Sequence, residues 1–177
     1  LDRSYSSSGS TERRRRPLAV ALAVSQLLRA ASDEYRPIWT PAIDDELRVI
    51  ARGQTDLASA LLEALEWKPD LVLIVSDGYE NDPSRGAAEV ARVFREHLDP
   101  TRRVSMIHLN PVFDADHYAP KTIGRALPTV GLRDAEDLFT MLGFARFVEG
   151  SAPLEELEHY LARRVAQLLG AEDGAQR

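Results

Sequence analysis

The stretch Asp70-Leu71-Val72-Leu73-Ile74-Val75-Ser76 constrains this chain more than any other. An unbroken run of Leu, Val and Ile has no polar face, so a strand built from it is covered on both sides, as in a parallel sheet lying between helices. It ends at Asp77-Gly78, a turn pair. Residues 103–109 repeat the pattern, with Val104, Met106, Ile107 and Leu109 around His108. A helix over 84–97 separates the two runs, which makes a strand–helix–strand unit with a parallel crossover.

The flanking segments extend the alternation. Residues 13–32 read as a helix apolar nearly all round, with Pro17 in its first turn and Ser10 or Thr11 as cap. Residues 35–40 and 46–51 are short extended candidates, expected to neighbour one another. A helix over 56–66 presents Leu57, Leu61, Leu62 and Leu65 on one face. Residues 110–133 are irregular. A short helix is expected over 134–142, a short strand over 144–148 and an amphipathic helix over 153–169. The resulting expectation is an α/β fold, doubly wound, with a mostly parallel central sheet and helices on both faces. It forms a single domain over residues 1–170, with a polar tail at 171–177.

Composition narrows the function. The formal charge is -6, from 28 acidic against 22 basic residues, which argues against a nucleic-acid-binding role. The absence of cysteine removes disulfides, thiolate metal sites and a cysteine nucleophile, and fits a reducing, cytoplasmic setting. No apolar run is long enough to span a membrane. The four histidines show no metal-ligand spacing; His108 reads as a core residue, and Trp39 and Trp67 as packing residues.

In open α/β sheets, ligands collect beyond the carboxyl ends of the strands. Three oxygen-rich strings qualify here: Asp2-Arg3-Ser4-Tyr5-Ser6, Gly53-Gln54-Thr55-Asp56 and Ser76-Asp77-Gly78. Their donors are carboxylates and hydroxyls without sulfur or imidazole, a set suited to Mg²⁺, with Mn²⁺ or Ca²⁺ as substitutes. Thr55 can equally serve as the cap of the helix that follows it.

The three strings together resemble the metal-ion-dependent adhesion site of a von Willebrand factor type A domain. Asp2, Ser4 and Ser6 match the Asp-x-Ser-x-Ser motif after the first strand, Thr55 the loop threonine, and Asp77 the aspartate after the fourth strand. The resemblance spans residues 2 to about 169. It implies direct metal ligation by Ser4 and Ser6, a direct or water-mediated contact from Thr55, and waters held by Asp2 and Asp77. It further implies a non-catalytic module in which an Asp or Glu of a partner protein completes the coordination shell.

Intracellular members work inside larger complexes, and some form the carboxyl-terminal part of Ro-type ribonucleoproteins. An enzyme using Asp2, Asp77 and Mg²⁺ for phosphoryl transfer or hydrolysis is the contrasting expectation, weakened by the lack of a phosphate-binding loop. Two features depart from the family pattern: Tyr5 stands between the serines, and Arg3 is expected to set a positive charge beside the site. Acidic Asp56, Glu80 and Asp82 lie close by in sequence. Because Asp2 would end the first strand, that strand is expected to be truncated before Leu1, its apolar body lying upstream.

Overall fold

A computed structural model describes residues 1–4, 16–43, 49–80, 82–112, 120–132, 135, 138–150, 155, 158, 159, 161, 162 and 165. The elements are α1 (Arg16–Ala31), α2 (Leu57–Glu66), β1 (Leu71–Val75), α3 (Gly86–Val93), β2 (Ser105–Asn110), β3 (Thr129–Gly131) and α4 (Leu138–Glu149). A π-helical turn, Phe94–Leu98, extends α3. The architecture is α/β, with a three-stranded parallel sheet in the order β1-β2-β3.

The apolar runs become β1 and β2, paired from Leu71 with Ser105 to Val75 with Leu109. Every residue of β2 is buried. Side chains alternate across a strand, and the core divides accordingly. Val75, Ile107 and Leu109 pack with Leu18, Val24, Leu138 and Leu142 of α1 and α4. Val72, Ile74 and Met106 pack with Leu57, Leu61, Ala87 and Ala91 of α2 and α3.

Several sequence expectations need correction. Residues 35–40 do not form a strand; within them Thr40 makes an isolated parallel bridge to Asp2. Of 46–51, the described residues 49–51 carry no regular structure. Residues 144–148 are helical, not extended: α4 runs on to Glu149, because Leu138, Leu142 and Ala145 fall on one buried face. The helix ends at Gly150, whose φ of +80° stops it and whose N–H returns to Phe147 O. β3 lies inside the stretch expected to be irregular. α1 buries one side rather than its whole circumference: Leu18, Ala21 and Val24 are covered, while Ala19, Gln26 and Ala30 face outward. Its expected caps, Ser10 and Thr11, lie outside the described residues, as do most of 153–169 and the tail. No described helix is long and apolar enough to cross a membrane.

Residues 1–3 lie against the free edge of β1. Asp2 N–H donates to Val75 O at 2.9 Å, while Leu1 N donates to Ile38 O, Thr40 N–H to Leu1 O and Arg3 N–H to Thr40 O. Across the molecule the spatial order is therefore 38–40, 1–3, β1, β2, β3. The chain passes from 1–3 to one side and returns to β1 on the other, so its direction of travel reverses between Asp2 and Val75. Such a reversal at carboxyl strand ends opens a crevice for ligands.

Candidate metal centre

Asp2, Ser4 and Asp77 meet at that reversal. Asp2 and Ser4 are each 2% exposed and Asp77 5%. The Asp2 carboxylate is held at both oxygens: Oδ1 accepts from Ser4 N–H at 2.8 Å, and Oδ2 accepts from Ser76 Oγ at 3.1 Å. The Ser76 hydroxyl also accepts from Gly78 N–H at 3.0 Å, so one hydroxyl joins the Asp2 carboxylate to the turn after β1. Asp77 Oδ1 accepts from Tyr79 N–H at 3.0 Å, which folds the turn back on itself.

Burial pushes the Asp2 carboxyl above the usual carboxylate range; hydrogen bonds from Ser4 and Ser76 oppose this, and the nearby Asp77 charge adds to it. The Asp77 charge adds to the cost of ionising Asp2, and a cation between them would relieve it.

The turn itself is fixed by backbone demands. Gly78 has φ +80°, and a Cβ there would lie 2.7 Å from Lys121 O, so only glycine fits. Beneath it, Asn110 at the end of β2 donates from Nδ2 to Asp77 O at 3.1 Å and to Lys121 O at 3.0 Å, and accepts from Val112 N–H at 2.9 Å. His108 lies fully buried, with Nε2 3.0 Å from Ser76 O and Nδ1 3.0 Å from Thr129 Oγ1. A carbonyl only accepts, so Nε2 carries the proton and Nδ1 accepts from Thr129. Burial lowers its pKa to about 4, and the imidazole is a neutral core strut, not a ligand.

Thr55 lies in the loop before α2. Its loop is tied to the site by Arg52 N–H donating to Arg3 O at 2.8 Å, and by Asp82 N–H donating to Thr55 O at 3.3 Å. It does not cap α2. Asp56 does, with Oδ1 accepting from Ser59 N–H at 2.9 Å. Thr55 is 0% exposed, and its Oγ1 has no hydrogen-bond partner among the described residues. A buried hydroxyl without a partner is costly and calls for a reason.

Ser6 and Tyr5 lie outside the described residues. Arg3 does not set its charge beside the site. It is 4% exposed, and its guanidinium is taken up by Pro41 O, Ala42 O and Ile50 O. Glu80 is likewise structural: its Oε1 accepts from Ala87 N–H in the first turn of α3. Of the aromatic pair, Trp39 packs in the core and Trp67 is partly exposed at the end of α2.

Sequence reasoning missed the roles of Ser76, His108 and Asn110. Polar side chains at the end of buried strands were the available signal. Among the described residues no group of three or more His, Cys, Asp or Glu side chains is placed to hold a metal. The donors here are two carboxylates, Asp2 and Asp77, with hydroxyls making up the rest. No family model matches the chain, no curated protein matches it, and no solved structure matches it.

Proposed function

We propose that the chain is a Mg²⁺-dependent protein-binding module of the von Willebrand factor type A kind, a doubly wound domain spanning residues 1–170 with no catalysis of its own, working in the cytoplasm. Asp2, Ser4, Thr55 and Asp77, with Ser6, would hold the ion, and an Asp or Glu of a partner protein would complete its shell. One observation carries this reading: the buried Thr55 hydroxyl lacks any described partner, in a loop bonded to the strand end that bears Asp2 and Ser4. A hard cation supplies what that oxygen lacks and offsets the paired charges of Asp2 and Asp77.

The donor chemistry fits Mg²⁺, which retains waters and is commonly bound through one or two carboxylates. When bound, the ion supplies a Lewis-acidic position for an incoming carboxylate. The chain's own residues orient it: Ser76 and Ser4 fix the Asp2 carboxylate, Asn110 fixes the Asp77 backbone, and Gly78 lets the turn close against Lys121. An Asp2 carboxylate already held at both oxygens is poorly placed to act as a nucleophile, which favours binding over phosphoryl transfer.

Titration with Mg²⁺, followed by thermal unfolding and calorimetry, tests this reading. Millimolar Mg²⁺ is expected to raise the unfolding midpoint of the parent chain, by mass action, and to leave that of Asp77→Ala unmoved. An unshifted parent chain refutes the metal site. A metal-dependent phosphatase activity lost in Asp77→Ala refutes the non-catalytic reading.

A further inference from the structure

Helix α2 carries more leucine than the core beneath it uses. Leu57 and Leu61 are buried against α3 and the sheet, but Leu62 is 52% exposed. With Leu65 it forms one wall of a surface groove of about 440 Å³. The other wall is α3 and its π-helical extension, presenting Val90, Val93, Phe94 and Leu98. Of these, Leu98 is 67% exposed. Scattered apolar side chains are ordinary on a surface, whereas a contiguous apolar groove marks a contact site.

Two charged residues line the groove, and both are acidic: Glu66 and Glu89. Glu66 closes α2, at the end where the helix dipole already concentrates negative charge. No basic residue stands in that last turn, and no ion pair reaches Glu66 among the described residues. On the other wall, Arg92 Nε and Nη2 donate to Glu89 at 2.9 and 2.6 Å, while Nη1 donates to Glu96. Two carboxylates on one guanidinium leave a net negative charge. Each wall therefore sets uncompensated negative charge beside exposed leucine.

We infer that this groove docks a basic amphipathic helix of a partner protein, apolar on the face that enters the groove and bearing Lys or Arg on its flanks. The walls select a helix over a strand. Both are helices whose backbone groups bond along their own axes, so an extended segment would find no ladder here, while a helix brings its own hydrogen bonds. Glu66 and the Glu89–Arg92–Glu96 cluster select the basic flanks. The same charge disfavours an anionic membrane surface, and a second copy presenting this face would set like charges together. None of the groove residues is a proposed metal donor, and α2 and α3 cover the sheet face opposite α1 and α4.

Calorimetric titration with a synthetic helical peptide of roughly 18 residues, Leu on one face and Lys on the flanks, tests this docking; the counterpart peptide carries Glu for Lys. The parent chain is expected to bind the Lys peptide at least about tenfold more tightly than the Glu peptide, and the gap should narrow as salt rises. Leu62→Gln combined with Leu98→Gln should weaken binding at least about tenfold, and Glu66→Gln about threefold. Phe139→Gln, which removes an exposed apolar side chain from α4, should change nothing. Failure to bind the Lys peptide, equal affinity for both peptides, or binding that survives the paired leucine substitutions overturns the proposal. So does a dimer of the parent chain, seen by sedimentation, that Leu98→Gln dissociates, since a second copy would then be the occupant. An unfolding midpoint lowered by more than about 5 °C in either leucine variant overturns it as well. Exposed side chains are replaceable at little cost, so that loss would mean the chain itself covers the groove.

Discussion

At its carboxyl end β1 faces residues 38–40 across Asp2, and backbone bonds reach Asp2 and its neighbours from both sides. A few residues back, the same strand faces residues 35–38 across a cavity of about 600 Å³. The first region is polar and satisfied in detail: Ser4, Ser76, Asn110 and His108 leave few groups without a partner. The second is open, with apolar Leu28, Leu57 and Leu61 and charged Asp33, Arg36 and Lys68 all in its lining. The geometry of the acidic cluster is set by the turn after β1 and by the end of β2. The same contrast runs across the sheet, where β1 is packed against β2 on one edge and faces a cavity on the other.

The largest expected effect tests the packed edge against the open one. Ile107 of β2 is wholly buried in the core it shares with α1 and α4, whereas Leu73, its partner on β1, packs against the same core but is only partly buried and lines the cavity. Ile107→Ala should cost about 4 kcal/mol, and Leu73→Ala about 1 kcal/mol. Denaturant titration of both variants measures the gap. Equal costs would show that this cavity is closed in solution.

The same division marks what the sequence made legible. β1 and β2 announce themselves because unbroken Leu, Val and Ile runs have one stable use. Asp2, Ser4, Ser6, Thr55 and Asp77 stood out as oxygen-bearing side chains in short loop strings; of these the structure brings Asp2, Ser4 and Asp77 together, and Ser6 lies outside the described residues. By contrast, 144–148 is a short apolar run, and such runs suit a strand or a buried helix equally until their neighbours are known. Leu138 and Leu142 settle it by packing beside Ala145. Residues 35–40 have strand composition, but only Thr40 finds a bridge. The supports of the site were illegible for another reason: Ser76 reaches Asp2 across 74 residues, Asn110 reaches Asp77 across 33, and His108 reaches Ser76 across 32. No local pattern encodes those contacts.

A smaller effect probes the polar region through pH. His108 has a folded pKa of about 4 against 6.5 when exposed. The unfolded chain therefore binds a proton that the folded chain refuses. Stability contributed by the neutral imidazole is complete above about pH 6.5 and is lost as pH falls toward 4, by roughly 3 kcal/mol. His108→Gln keeps a donor near Ser76 O but does not titrate, so its stability should change less across that window. Parallel slopes for the two proteins, measured by urea unfolding at stepped pH, would place the acid sensitivity elsewhere.

The smallest effect separates two buried hydroxyls, those of Ser76 and Thr55. Ser76 Oγ has two partners, Asp2 Oδ2 and Gly78 N–H, so Ser76→Ala leaves both short of a bond and should cost about 2 kcal/mol without metal. Thr55 Oγ1 has none among the described residues, and Thr55→Val conserves its shape. Without Mg²⁺ this variant should match the parent or exceed it by up to about 1 kcal/mol, since an unsatisfied polar atom has been removed. With Mg²⁺ the order should invert, because the parent gains stability from the ion and Thr55→Val gains less. A Thr55→Val chain that is destabilised without metal would mean that its hydroxyl has a protein partner. One that keeps the full Mg²⁺ response would remove Thr55 from the site, leaving Asp2, Ser4 and Asp77 to be tested alone.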